Sequence, residues 1–71
     1  MIRLAITGAA GRMGGRIVAL AHADERFTVA AALEQEGSPG LGDDAGERAG
    51  VGRIGVPIED HTDAPFDVLI D

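Results

Sequence analysis

The sequence predicts an α/β fold with a parallel sheet. Three observations carry this: a short alternating apolar segment at Ile2–Thr7, a helical apolar period over Arg12–Ala23, and a nearly unbroken apolar run over Phe27–Leu33. Strand, helix and strand in succession form a βαβ unit, in which the helix carries the chain back so that both strands run the same way. At 71 residues there is room for one compact unit at most. Hydrophobic residues make up 45% and charged residues 25%, the balance of a folded globular chain and not of a disordered one. Both aromatic residues are Phe, and Cys and Trp are absent, so Ala, Val, Ile and Leu must build a thin core without disulfide or thiolate–metal support.

Each element has its own signal. In the first strand Ile2, Leu4 and Ile6 share a face, and Gly8 supplies the turn. In the helix, Met13, Ile17, Leu20 and Ala21 fall at helical spacing, which predicts them to be the core-facing stripe, with Arg12 and Arg16 on another face. Phe27–Leu33 has the length and continuity of a strand buried on both faces, although its Ala triplet also suits a helix. Residues 35–55 hold seven of the eleven glycines together with Pro39, which predicts a long loop with one short turn near Asp43–Arg48. Val56-Pro57-Ile58 reads as a third strand, confined by Pro57 to an edge of the sheet. Phe66–Asp71 repeats the first strand's pattern, and the sequence ends there. A chain ending on a strand leaves an apolar edge uncovered, so the sequence reads as a domain truncated after its fourth strand and prone to self-association.

Charge narrows the partners. Residues 1–33 hold four Arg against two acids, net +2, whereas residues 34–71 hold two Arg against ten acids, net −8. The overall −6 argues against nucleic acid, which requires a positive field. No apolar run approaches the roughly 18 residues of a membrane span, and Gly8 interrupts the first apolar stretch too early for a signal peptide. The expected setting is the cytoplasm, with no membrane partner.

The chemistry concentrates at the junction of the first strand and the helix. Thr7-Gly8-Ala9-Ala10-Gly11-Arg12-Met13-Gly14 has the spacing G-x-x-G-x-x-G. Glycines there allow a sharp turn and a close approach of backbone to a diphosphate, whose charge is met by N–H groups at the helix N-terminus. A bare glycine turn is weak as a signal, but one that follows a strand and opens a helix fits the dinucleotide-binding fingerprint. Glu34, at the end of the second strand and twenty residues beyond Gly14, stands where such folds place the carboxylate that accepts from the adenosine ribose hydroxyls. That carboxylate also repels a 2′-phosphate. Arg12 lies beside the expected phosphate position, and Arg16, one turn on, reads as a surface residue. The fold is therefore expected to be a Rossmann-type domain with strand order 3-2-1-4 and the ligand over the carboxyl ends of the strands. Between candidate strands three and four lie only residues 59–65, which reach roughly 23 Å when extended. Two intervening strands demand about 14 Å sideways, so the link fits without a helix only if the third strand is very short.

Thr7–Gly14, then Ala31-Ala32-Leu33-Glu34 with Glu36-Gly37-Ser38, then Leu41-Gly42 with Asp44-Ala45-Gly46 and Gly55-Val56, closely resemble, in order, the N-terminal part of the 4-hydroxy-tetrahydrodipicolinate (dihydrodipicolinate) reductase family of lysine and diaminopimelate synthesis. The resemblance implies a homotetrameric cytoplasmic enzyme that passes hydride from NADH or NADPH to a small cyclic imine with loss of water. It implies that Gly8, Ala9, Ala10, Gly11, Arg12 and Met13 cradle the diphosphate and that Glu34 holds the adenosine ribose. Many members carry Arg, which grips the 2′-phosphate, where this chain has Gln35, so NADH is the expected preference. The family's His general acid, substrate-binding Lys, nicotinamide loops and tetramer-forming sheet are implied to lie beyond Asp71. No catalytic residue is assigned within 1–71, and these residues alone are expected to be inactive.

Two other readings share parts of the signal. Extended short-chain dehydrogenases and epimerases also open on T-G-x-x-G-x-x-G but carry a Tyr-x-x-x-Lys pair further on, and a non-catalytic nucleotide-sensing module would need no catalytic continuation at all. His22 and His61 lack companions at metal spacing and read as surface residues, and no metal site is expected. Asp43-Asp44 with Glu47 lacks the ligand alternation of a calcium loop and reads as solvated loop. Asp71, at a strand's carboxyl end, lies near the expected crevice or caps a loop.

Overall fold

The computed structural model describes residues 1–71. The chain runs β1 (Ile2–Thr7), α1 (Arg12–His22), β2 (Phe27–Leu33), α2 (Ala45–Ala49), β3 (Ile58–Glu59) and β4 (Val68–Ile70). The four strands form one parallel sheet in the order β3-β2-β1-β4, the Rossmann-like arrangement expected from the sequence. β1 pairs along its whole length with β2, and the register slips once, leaving Ala30 unpaired between Val29, opposite Leu4, and Ala31, opposite Ala5. This bulge keeps both Val29 and Ala32 on the face that α1 covers. The Ala triplet is extended, not helical, because its neighbours on the sheet bury it.

The core lies between the sheet and the helices. Leu4, Ile6, Val18, Val29 and Ile58 meet there with four small side chains, Ala9, Ala21, Ala32 and Ala45, and α1 and α2 pack side by side over it. The helix phase corrects the sequence reading. The buried positions of α1 are Gly14, Val18 and Ala21, whereas Met13 is 69% exposed and Leu20 72% exposed. The reason is at the first turn. A Cβ on Gly14 would lie 2.6 Å from the Gly8 carbonyl carbon and 2.9 Å from Ala9 Cα, so the hydrogen of Gly14 has to face the β1 turn. That contact rotates Val18 and Ala21 inward and turns Met13 and Leu20 out; Ile17 is left half-buried at the boundary.

β3 is only Ile58–Glu59, with Val56 and Pro57 before it and not within it as expected, and it lies at the sheet edge, as short as the link to β4 requires. Residues 60–67 return across the sheet without a helix. They start β4 at Arg3, whose N–H and guanidinium both donate to the Asp67 carboxylate, while Asp67 N–H donates to the Arg3 carbonyl at 2.8 Å. β4 is shorter than the sequence suggested: Phe66 precedes it and is 41% exposed.

The glycine-rich segment is more ordered than a solvated loop. Asp44 caps α2 by accepting from Glu47 N–H at 3.0 Å, and the same carboxylate accepts from Ile54, Gly55 and Val56 N–H at 2.9, 2.8 and 3.1 Å. Burial pushes the Asp44 carboxyl up, but those four backbone donors outweigh it and hold it below the usual carboxylate range. Asp44 is thus a structural hub, not one of several solvated acids. No helix is long and apolar enough to cross a membrane.

Candidate nucleotide-binding site

A parallel sheet collects the ends of its strands on one side, and the chain turns there into its ligand-facing loops. After β1 the chain passes through Gly8 at φ +63°, a left-handed conformation that glycine adopts without strain, and enters α1 at Gly11. Within this turn almost every backbone N–H is engaged. Ala9 N–H donates to the Leu33 carbonyl at 3.0 Å, Ala10 N–H to Glu34 Oε2 at 3.1 Å, and Gly11 N–H to the Gly8 carbonyl at 2.9 Å. Gly11 caps α1 with no side-chain acceptor, and the chain offers none to the N–H groups of Arg12, Met13 and Gly14. Three contiguous donors are left at the positive end of a helix of eleven residues.

These donors open onto a cleft of about 810 Å³. Gly8, Gly11, Arg12 and Met13 line it from the turn, and Glu34 and Gln35 from the end of β2. Ala9 and Ala10 support it from behind: the Ala9 side chain is fully buried in the core, and Ala10 contributes its backbone. Glu34 is half-buried; its second oxygen accepts from Gln35 N–H at 3.1 Å. A carboxylate has about four acceptor positions, so two hydrogen bonds within the chain leave others open to the cleft.

Asp71, which the sequence placed near the crevice, is a wall of it; sequence reasoning did not single out the others, Ile17, which provides an apolar flank, and Thr7, Leu33 and Asp60, which end or follow strands. The usable signal was topological: in a parallel sheet the residue that follows each strand faces the same crevice. Asp71 does line the cleft, with its carboxylate held by the Thr7 hydroxyl, which donates to it at 2.6 Å. Arg16 is exposed on the far side of α1, in a second groove of about 580 Å³ between α1 and α2. His61 is exposed and bonded to Asp60, and His22 lies at the end of α1.

The fit of a dinucleotide can be judged from these features alone. The turn presents unpaired donors where a diphosphate needs them, a side chain at Gly14 is excluded by backbone, and a carboxylate stands at the end of the adjacent strand. Comparison with known proteins agrees. The family described as "Dihydrodipicolinate reductase, N-terminus" matches residues 2–71. Over 74 aligned positions the chain is 50% identical to the 4-hydroxy-tetrahydrodipicolinate reductases of Citrifermentans bemidjiense and Geobacter sp. (strain M21), and 51% identical to that of Geotalea uraniireducens. Each alignment covers 100% of this chain and 28% of the relative, so the chain spans a little over a quarter of their length. The chain belongs to the dihydrodipicolinate reductase family and corresponds to its N-terminal, nucleotide-binding region.

Proposed function

We propose that residues 1–71 form the first part of the dinucleotide-binding domain of an NAD(P)H-dependent 4-hydroxy-tetrahydrodipicolinate reductase, with NADH preferred, whose substrate-binding and tetramerisation domain is supplied by other residues of the enzyme. The observation that carries the reading is the pairing of the open N-terminus of α1 with the Glu34 carboxylate across one cleft. Gly8, Gly11, Arg12 and Met13 hold the diphosphate with Ala9 and Ala10 shaping the turn behind them, the three free N–H groups meet its charge, and Glu34 accepts from the adenosine ribose hydroxyls. The bound nicotinamide supplies the hydride for reduction of a small cyclic imine in the diaminopimelate route to lysine. This chain's residues bind and orient, and proton transfer falls to groups elsewhere in the homotetrameric, cytoplasmic enzyme.

The preference for NADH rests on charge. Glu34 meets a free ribose diol as an acceptor and a 2′-phosphate as a like charge, and Gln35 beside it offers only a neutral amide. Calorimetric titration with NADH and NADPH tests both parts. NADH should bind more tightly than NADPH, and Glu34→Ala should weaken NADH more than NADPH. A tenfold preference of the wild type for NADPH would remove the ribose role from Glu34.

A further inference from the structure

Ala10 is held from three directions by residues outside the turn that contains it. Its N–H donates to Glu34 Oε2, from the end of β2. Its carbonyl accepts from the Arg48 guanidinium, Nη2 at 3.4 Å, from α2, thirty-eight residues away in sequence. Its methyl group lies against buried Gly40, where an added Cβ would stand 2.5 Å from Ala10 Cβ and 3.6 Å from the Arg48 guanidinium carbon. Arg48 is itself steadied by Asp43, whose carboxylate accepts from Nη1 at 3.2 Å. The Arg48 and Gly40 contacts lie outside the nucleotide cleft, since Arg48 lines the groove on the other side of the turn.

Their effect passes through one peptide plane. The Ala10–Gly11 peptide has its carbonyl on Arg48 and its N–H on the Gly8 carbonyl. Gly11 is the N-cap of α1, so this plane fixes the direction in which the next three N–H groups leave the helix. Were the plane to rotate, the Ala10 carbonyl would move toward the cleft and oppose an anion there. Between two residues without large side chains, Ala and Gly, little besides hydrogen bonds resists that rotation.

We propose that Arg48 is a positioning residue for the diphosphate-binding turn: by donating to the Ala10 carbonyl from the far side, it holds the Ala10–Gly11 peptide in the orientation that turns donors, and not an acceptor, toward the ligand. This rests on the nucleotide reading of the cleft for its consequence but not for its geometry. Arg48→Met keeps the aliphatic stem and removes the donor. In the nucleotide-free protein it should raise amide hydrogen exchange at Gly11 and leave Leu4 and Ile6 in β1 unchanged. It should weaken NADH and ADP-ribose by roughly two- to threefold, the low end of a hydrogen bond's worth at this length, and leave adenosine, which has no diphosphate, unaffected. Arg48→Lys, which still offers a donor, should recover part of the loss. The loss should persist at high salt, whereas a mere change in local charge would be screened away.

Unchanged exchange at Gly11 overturns the proposal whatever the ligand data show. Equal losses for adenosine and ADP-ribose, tracking a fall in melting temperature, also overturn it in favour of a purely structural role. If exchange at Gly11 rises but the wild type binds no NADH, the clamp stands and the nucleotide reading fails.

Discussion

Gly14 and Gly15 are neighbours in one helix, yet alanine should act on them with opposite sign. In a helix interior glycine is about 1 kcal/mol less favourable than alanine, so both substitutions start with the same gain. At Gly15 the added methyl meets nothing nearer than Ala49 Cα at 3.9 Å, an ordinary contact, and the gain should be kept. At Gly14 the methyl would stand 2.6 Å from the Gly8 carbonyl carbon and 2.9 Å from Ala9 Cα, and closer still to the Gly8 oxygen. These are backbone atoms of the turn and no rotamer change relieves them. Overpacking of this kind costs typically 1–3 kcal/mol, and with backbone on both sides of the contact the upper value applies. The net loss is about 2 kcal/mol after the helix gain. For a domain of this size 1 kcal/mol moves the melting temperature by about 4–8 °C.

Gly15→Ala should therefore melt about 4–8 °C higher than wild type, and Gly14→Ala about 8–16 °C lower. Urea titration separates the effect from any change in compactness, since the midpoints should move in opposite directions at constant slope. Gly14→Ala should also lose NADH affinity, because α1 must withdraw from the turn to admit the methyl. If Gly14→Ala is as stable as Gly15→Ala, the close seating of α1 on the turn is wrong, and so is the explanation of the helix phase drawn from it.

Gln35→Arg supplies a guanidinium beside Glu34; a charge-assisted hydrogen bond of about 1.5–3 kcal/mol should improve NADPH binding roughly ten- to a hundredfold and leave NADH nearly unchanged, as calorimetry will read directly. Asp44→Ala removes the shared acceptor of four N–H groups, so hydrogen exchange should rise together at Glu47, Ile54, Gly55 and Val56 while Leu4 and Ile6 stay protected. The hydrogen bond from His61 to Asp60, followed by their charge attraction, raises the His61 pKa above 6.5; its proton NMR titration should show this, and Asp60→Asn should lower the midpoint. A raised pKa contributes stability below pH 6.5 that is lost as pH rises through the folded value, and at this exposed site the contribution is small. The Asp24 carboxyl, held to about 2 by the Arg26 side chain and N–H, contributes stability above pH 3.8 that is lost as pH falls through 2; in Arg26→Ala its titration should return toward 3.8.

Sequence reading succeeded where a single local period decides the outcome. β1 was legible from its alternation, β2 from its continuous apolar run although its Ala triplet also suited a helix, and the strand order followed from the βαβ rule together with the glycine turn. Of the stripe expected to face the core, Met13, Ile17, Leu20 and Ala21, only Ala21 is buried; Met13 and Leu20 were misplaced because they form an apolar stripe as regular as Gly14, Val18 and Ala21. Hydrophobicity ranks the first stripe higher; the backbone contact at Gly14 selects the second, and glycine has no weight in a hydrophobic pattern. Asp44 was read as a solvated acid because its partners at residues 54–56 reach it only when α2 and the strand beyond have folded. The Arg48–Ala10 contact has no local signature for the same reason.

These misreadings share a physical cause. The segments between the strands hold too few large side chains to be fixed by packing, so their backbone is fixed by hydrogen bonds to a few polar groups: Glu34 for the glycine turn, Asp44 for residues 47–56, Asp67 for the start of β4. Such bonds are directional, and that matters at the site. Under the proposed reading, the turn after β1 presents N–H groups to a ligand. It gives Ala9, Ala10 and Gly11 internal acceptors and leaves the next three donors free. The buried Ala9 side chain ties the same turn to the core. Under the proposed nucleotide reading, binding strength therefore depends on which donors the fold has already satisfied, and a substitution at Arg48 of α2 that frees the Ala10 carbonyl acts on the ligand without touching it.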